Sequence, residues 1–143
     1  MKTKRVSLTN SLLVCLSAIP LLWACTPEPP HIIESDRIFR SFNKVAVKDG
    51  LIPFGIGGAL FKDIEYFSLD YDFYIDEISV DEARRIIVSK AEELYVLVNV
   101  PSARPYLRYN PYDENHGYLS ITFYNKKGQK FPEGIVTSVS VAK

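Results

Sequence analysis

Phe67, Leu69, Tyr71, Phe73 and Ile75 alternate with Ser68, Asp70, Asp72 and Tyr74. A period of two predicts a half-buried strand. The period then changes. Ala83, Ile87, Ala91, Leu94 and Val98 recur at helical spacing and predict the apolar face of a helix. Ser79-Val80-Asp81-Glu82 stands in front of it as a capping box, whose serine hydroxyl satisfies an orphan amide while Glu82 reaches back to the cap. That helix ends near Asn99, before Pro101. Upstream, Ser35 can cap an earlier helix with Ile38, Phe39, Phe42, Val45 and Ala46 on one face. Arg37, Arg40 and Lys44 fall largely on other faces, and Gly50 ends the segment.

Downstream, Leu119, Ile121 and Phe123 alternate with Ser120, Thr122 and Tyr124. Asn125-Lys126-Lys127-Gly128 supplies a turn, and Ile135, Thr137, Val139 and Val141 form a returning strand. Leu51 to Phe61 is apolar and glycine-rich, and reads as a turn or irregular edge leading into a strand. Pro101 to Gly117 is long for a connection in so small a domain. The order helix, strand, helix, hairpin predicts an α+β fold, with a small antiparallel or mixed sheet and helices packed on one face.

The first residues follow a different logic. Lys2, Lys4 and Arg5 precede an apolar run from Leu12 to Leu22, and Leu22-Trp23-Ala24-Cys25 closes it. The run is shorter than the roughly 20 residues a membrane-spanning helix needs. Basic, then apolar, then a small residue and cysteine resembles the lipobox of bacterial lipoproteins. The resemblance implies a signal peptide over residues 1–24, cleavage before Cys25, and acyl chains on its sulfur that hold the chain to a membrane. Trp23 is unusual within such a motif. An ordinary secretory signal cut elsewhere and an uncleaved anchor are the competing readings. Thr26 follows the cysteine; in lipoproteins of double-membraned bacteria Asp at that position commonly retains the protein at the inner membrane, so Thr26 favours the outer one. Residues 25–34, with Pro27, Pro29 and Pro30, read as an extended tether, and residues 35–143 as one domain facing the periplasm or cell exterior.

Processing changes the charge balance. The whole chain carries 17 basic and 17 acidic side chains. Loss of Lys2, Lys4 and Arg5 leaves 14 against 17 and a net charge of −3. That balance and export argue against nucleic acid as a partner. The two cysteines, Cys15 and Cys25, are lost with the leader or committed to lipid, so the mature domain is expected to lack disulfides and thiol chemistry.

Glu82-Ala83-Arg84, Arg104-Pro105-Tyr106-Leu107, Tyr109-Asn110-Pro111-Tyr112 and Leu119-Ser120-Ile121-Thr122-Phe123-Tyr124 occur in that order. The order resembles an uncharacterised family of small exported proteins from chlamydia-like and other intracellular bacteria, in which Phe is favoured at the position of Tyr112. The resemblance supports the fold and implies no activity or cofactor.

Candidate chemistry is sparse. Gly55-Ile56-Gly57-Gly58 lacks the Lys-Ser/Thr of a phosphate loop and reads as a glycine-permitted turn or a place of close packing. Asp70, Asp72, Asp76 and Glu77 are acidic, but a strand does not present oxygen ligands around a cation. His31 and His116 have no partner at metal-ligand spacing, so no metal is expected. Arg104, Tyr106, Arg108, Tyr109 and Tyr112 form the best binding candidate, because Tyr and Arg are enriched at interface hot spots. The competing reading folds Tyr106, Leu107 and Tyr109 back over the end of the sheet. The sequence therefore points to a non-catalytic binding or structural module of the envelope, acting on a protein or envelope component. An envelope hydrolase using Asp70, Asp72 or Glu77, and an inhibitor or immunity-type lipoprotein, are the alternatives.

Overall fold

A computed structural model describes residues 27–132 and 135–141. Residues 1–26, where the signal peptide, Cys25 and Thr26 are expected, lie outside the described residues. The elements run α1 (Pro30–Lys48), β1 (Leu51–Ala59), β2 (Tyr66–Tyr74), α2 (Val80–Val98), β3 (Gly117–Tyr124) and β4 (Ser138–Val141). A 3-10 turn, Arg104–Tyr106, interrupts the connection between α2 and β3. The fold is α+β, as the periodicity predicts.

The four strands form one mixed sheet in the order β1-β2-β3-β4. β1 pairs antiparallel with β2, β2 parallel with β3, and β3 antiparallel with β4. Parallel neighbours need a crossover, and α2 supplies it. The helices cover one face: α1 packs on β1 and α2, and α2 packs on β3 and β4. Phe67, Leu69 and Tyr71 of β2 and Leu119, Ile121 and Phe123 of β3 point into that layer and are buried. Phe39 meets Phe67 edge-on at 4.9 Å, and Phe42 meets Tyr71 at 5.9 Å. Burial of each such ring contributes about 1.5–3 kcal/mol.

α2 matches its expected bounds. The Ser79 hydroxyl accepts the Glu82 amide at 3.2 Å, and Ala83, Ile87, Ala91, Leu94 and Val98 are buried. Gly50 follows α1 with φ +89°, and Gly128 lies in the turn just after β3 with φ +77°; the returning strand, expected from Ile135, begins only at Ser138. Left-handed backbone of this kind favours glycine.

Three local expectations change. Ser35 does not cap α1. The helix starts at Pro30, where a proline costs nothing because the first-turn amides have no helical partner. Ser35 sits inside the helix, buried, and its hydroxyl donates to the Ile32 carbonyl at 2.9 Å. Residues 30–34, expected as part of an extended tether, are helical. Val45, placed on the apolar face by its spacing, is exposed. Finally, Leu51–Ala59 is a nine-residue edge strand. A register shift between Pro53 and Gly55 absorbs the proline.

Candidate functional site

The segment carrying Arg104, Tyr106, Arg108, Tyr109 and Tyr112 divides in two. Tyr112 is 1% exposed and belongs to the core, which removes it from any contact surface. Its hydroxyl accepts the Phe67 amide at 3.0 Å and donates to the His116 carbonyl. Asn99 clamps its backbone, accepting the Tyr112 amide and donating to its carbonyl, both at 2.8 Å. Tyr106 is half-buried and Leu107 buried against the same core. Arg104, Arg108 and Tyr109 remain exposed. Arg108 pairs with Glu65, and Tyr109 stacks on His116 at 3.9 Å.

His116 also lies 2.8 Å from Asp113, whose carboxyl is held below the usual range first by the Asn115 backbone amide. His31 bonds the Leu60 carbonyl at 3.3 Å. Among the described residues no three His, Cys, Asp or Glu side chains are grouped to hold a metal.

Asp70 and Asp72 share the sheet face that the helices leave open, as alternation requires. The register sets Ser120 beside Asp70, Thr122 beside Asp72, and Ser140 and Ser138 beyond them. Both acids come from one strand and lie side by side. Glycoside hydrolysis uses carboxyls that flank a bond from opposite sides. Partial burial raises the Asp72 carboxyl above its ordinary value. Asp76 meets Lys126, and Glu77 is exposed in the turn before α2.

A cleft of about 470 Å³ opens between the end of α1 and the first half of α2. Leu51, Phe73 and Ile86 give it apolar walls. Lys90, 6% exposed, lies there between Asp49 and Glu93, the latter at 2.8 Å. Sequence reading overlooked Lys90 because it falls on the apolar face of α2 without any motif around it. Its ammonium is fully engaged by the two carboxylates.

β1 is the remaining feature. Its register places Gly55, Ile56, Gly57 and Gly58 in a strand, so this run is not a turn, and close packing is the alternative that holds. Two of these glycines have internal reasons. A side chain at Gly58 would sit 2.4 Å from the Tyr66 carbonyl, and one at Gly55 would meet the Asp70 carboxylate at 3.1 Å. Gly57 has none: its nearest neighbour would be the Ser68 Cβ at 3.9 Å, an ordinary contact. Only β2 pairs with β1, so its other edge carries no strand among the described residues. From Leu51 to Phe61 there is no charged residue, and Phe54 is 77% exposed. Natural edge strands are usually blunted by charge. β1 has a proline and a bulge at its start and no such protection over Ile56–Ala59.

Comparison with protein-family models, with curated proteins and with solved structures finds no match to this chain.

Proposed function

We propose that the chain is a lipid-anchored module of the cell envelope, held by acyl chains on Cys25, that joins another polypeptide by adding its strand to β1. The unpaired, uncharged edge of β1 carries this reading. An incoming strand gains main-chain hydrogen bonds along the edge, while Ile52, Phe54 and Ile56 offer apolar contact. Gly57 fits the same picture, because glycine in a strand interior is tolerated where another chain approaches. The role is binding or structural. Asp70 and Asp72 serve as a solvated strand face in this reading, and no reaction is assigned to them.

The test is capture from solubilised envelopes. The wild-type chain is expected to retain one defined protein, and Phe54→Lys with Ile56→Lys is expected to release it without changing the circular dichroism. Retention by the edge variant would reject the β1 reading. Loss in Arg104→Ala, Arg108→Ala, Tyr109→Ala instead would move the interface to the loop.

A further inference from the structure

We infer that one end of the domain, built from the Leu60–Ile64 turn and the Arg104–Tyr109 segment, lies on the phospholipid leaflet as a second membrane contact. The inference rests on the reading that Cys25 is lipidated.

Chain length sets the first constraint. Cys25 and Pro30 are five residues apart, and at no more than about 3.6 Å per residue they span at most about 18 Å. The start of α1 is therefore held close to the headgroups. Two hydrogen bonds tie this end to α1, and two more join the two segments to each other. His31, in the first turn of α1, bonds the Leu60 carbonyl at 3.3 Å. The Ile64 amide donates to the Tyr106 carbonyl at 2.7 Å, and the Arg108 amide donates to the Ile64 carbonyl at 3.0 Å. Ser102 reaches Glu34 of α1 at 3.3 Å. Whatever fixes Pro30 near the leaflet brings this end of the fold with it.

The side chains there match a lipid interface. Phe61 is 81% exposed, above every other large hydrophobic side chain described as exposed, and Ile33 is exposed beside the tether. Tyr109 is exposed too, and aromatic rings of this kind settle at headgroup depth. Lys62, Arg104 and Arg108 face solvent against Asp63 and Glu65, an excess of one positive charge. The mature chain as a whole carries −3, so a local excess of one cation runs against its average. Cations near the surface are drawn to anionic lipid. The acyl chains on Cys25 hold the chain to the bilayer. Phe61 and its basic neighbours add a second contact that sets how the domain lies on it, with lipid phosphates as the ligand. β1 then runs outward, from Ala59 near the leaflet to Leu51 away from it.

The experiment uses the full chain carrying Phe61→Trp, purified after cellular processing and reconstituted into vesicles of phosphatidylcholine and phosphatidylglycerol. Trp23, the only native tryptophan, lies in the leader and leaves on cleavage. Flotation with the vesicles reads the anchor, and quenching by brominated lipid reads the contact. Val47→Trp is the control, about 26 Å along α1 from Pro30 at 1.5 Å per residue. Fluorescence of the Phe61→Trp variant is expected to be quenched at least severalfold more than that of the Val47→Trp control. Flotation of both variants with their tryptophans equally open to aqueous quencher would overturn the contact and leave the anchor standing. Protein that stays in solution without a thioether on Cys25 would remove the anchor, and this inference with it.

Discussion

The backbone amide of Phe67 donates to the hydroxyl of Tyr112, 45 residues further along the chain, at 3.0 Å. That bond stitches the start of β2 to the connection before β3. The same hydroxyl donates to the His116 carbonyl. Tyr112→Phe keeps the ring and removes the oxygen, leaving a buried amide and a partly buried carbonyl without this partner. A stranded buried group costs about 1–3 kcal/mol, so the melting temperature should fall by several degrees. Gly117→Ala attacks the same point from the other side, because its Cβ would lie 2.8 Å from the Tyr112 hydroxyl. Thermal melts of both variants check this, and unchanged melts would mean that water replaces the tyrosine hydroxyl without loss.

Lys90 gives an asymmetric expectation. Its ammonium is nearly enclosed, whereas Asp49 and Glu93 keep about half and a third of their side-chain surface in water. Lys90→Met removes the buried charge and leaves two carboxylates that water can solvate. Apolar replacement of a buried ion often leaves stability nearly unchanged. Asp49→Asn with Glu93→Gln does the reverse and strands the ammonium, which is expected to cost about 3–5 kcal/mol. Denaturant unfolding of both variants decides it; equal losses would sink the argument. The Lys90 hydrogen bond also holds Asp49 below the usual carboxylate range. That contribution is present above the unfolded carboxyl value near 3.8 and is lost as pH falls through the lower folded one.

At the alkaline end the sign reverses. Burial pushes the phenols of Tyr71 and Tyr112 well above their ordinary value of 10. Below pH 10 both phenols are protonated whether the chain is folded or unfolded. Above it the unfolded chain ionises and the folded chain does not, so stability falls as pH rises toward the folded values. Tyrosinate absorbance during a pH titration should therefore show the exposed tyrosines ionising first and a late step coincident with loss of tertiary circular dichroism. A single smooth titration with the fold intact would contradict this.

Periodicity found α2, β2 and β3 because each buries one face against a single layer, and that is the condition under which apolar spacing reports structure. It left β1 as a turn or an irregular edge for the converse reason. An edge strand with three glycines, a bulge and exposed Ile52, Phe54 and Ile56 has no buried face to leave an alternating trace. The start of α1 was obscured by Pro29 and Pro30, which look like breakers unless the second is recognised as the first helical residue. For the candidate site, residue type pointed to the Arg104–Tyr112 segment. It could not separate buried Tyr112 from exposed Tyr109, since their environment is set by Phe67, Asn99 and His116. Nor could any spacing reveal that Ile64 hydrogen-bonds across to Tyr106 and Arg108, which is what joins Phe61 to the arginines.

Gly57 and Gly58 are neighbours in β1, and substitution should separate their roles. A Cβ at Gly58 meets the Tyr66 carbonyl at 2.4 Å, so Gly58→Ala must shift backbone and is expected to lower the melting temperature. Gly57 has a free path for a side chain, with Ser68 at 3.9 Å and no left-handed backbone to oppose it. Glycine in a strand interior costs roughly 0.5–1 kcal/mol relative to alanine, and a β-branched residue suits strands better still. Gly57→Thr should therefore stabilise the isolated chain by about that amount. If the residue is small because another strand lies beside it, the same substitution should weaken partner capture. A variant that melts higher yet binds less would mark Gly57 as kept for the partner and not for the fold. Higher stability with undiminished capture would show that β1 is not the surface where the partner sits.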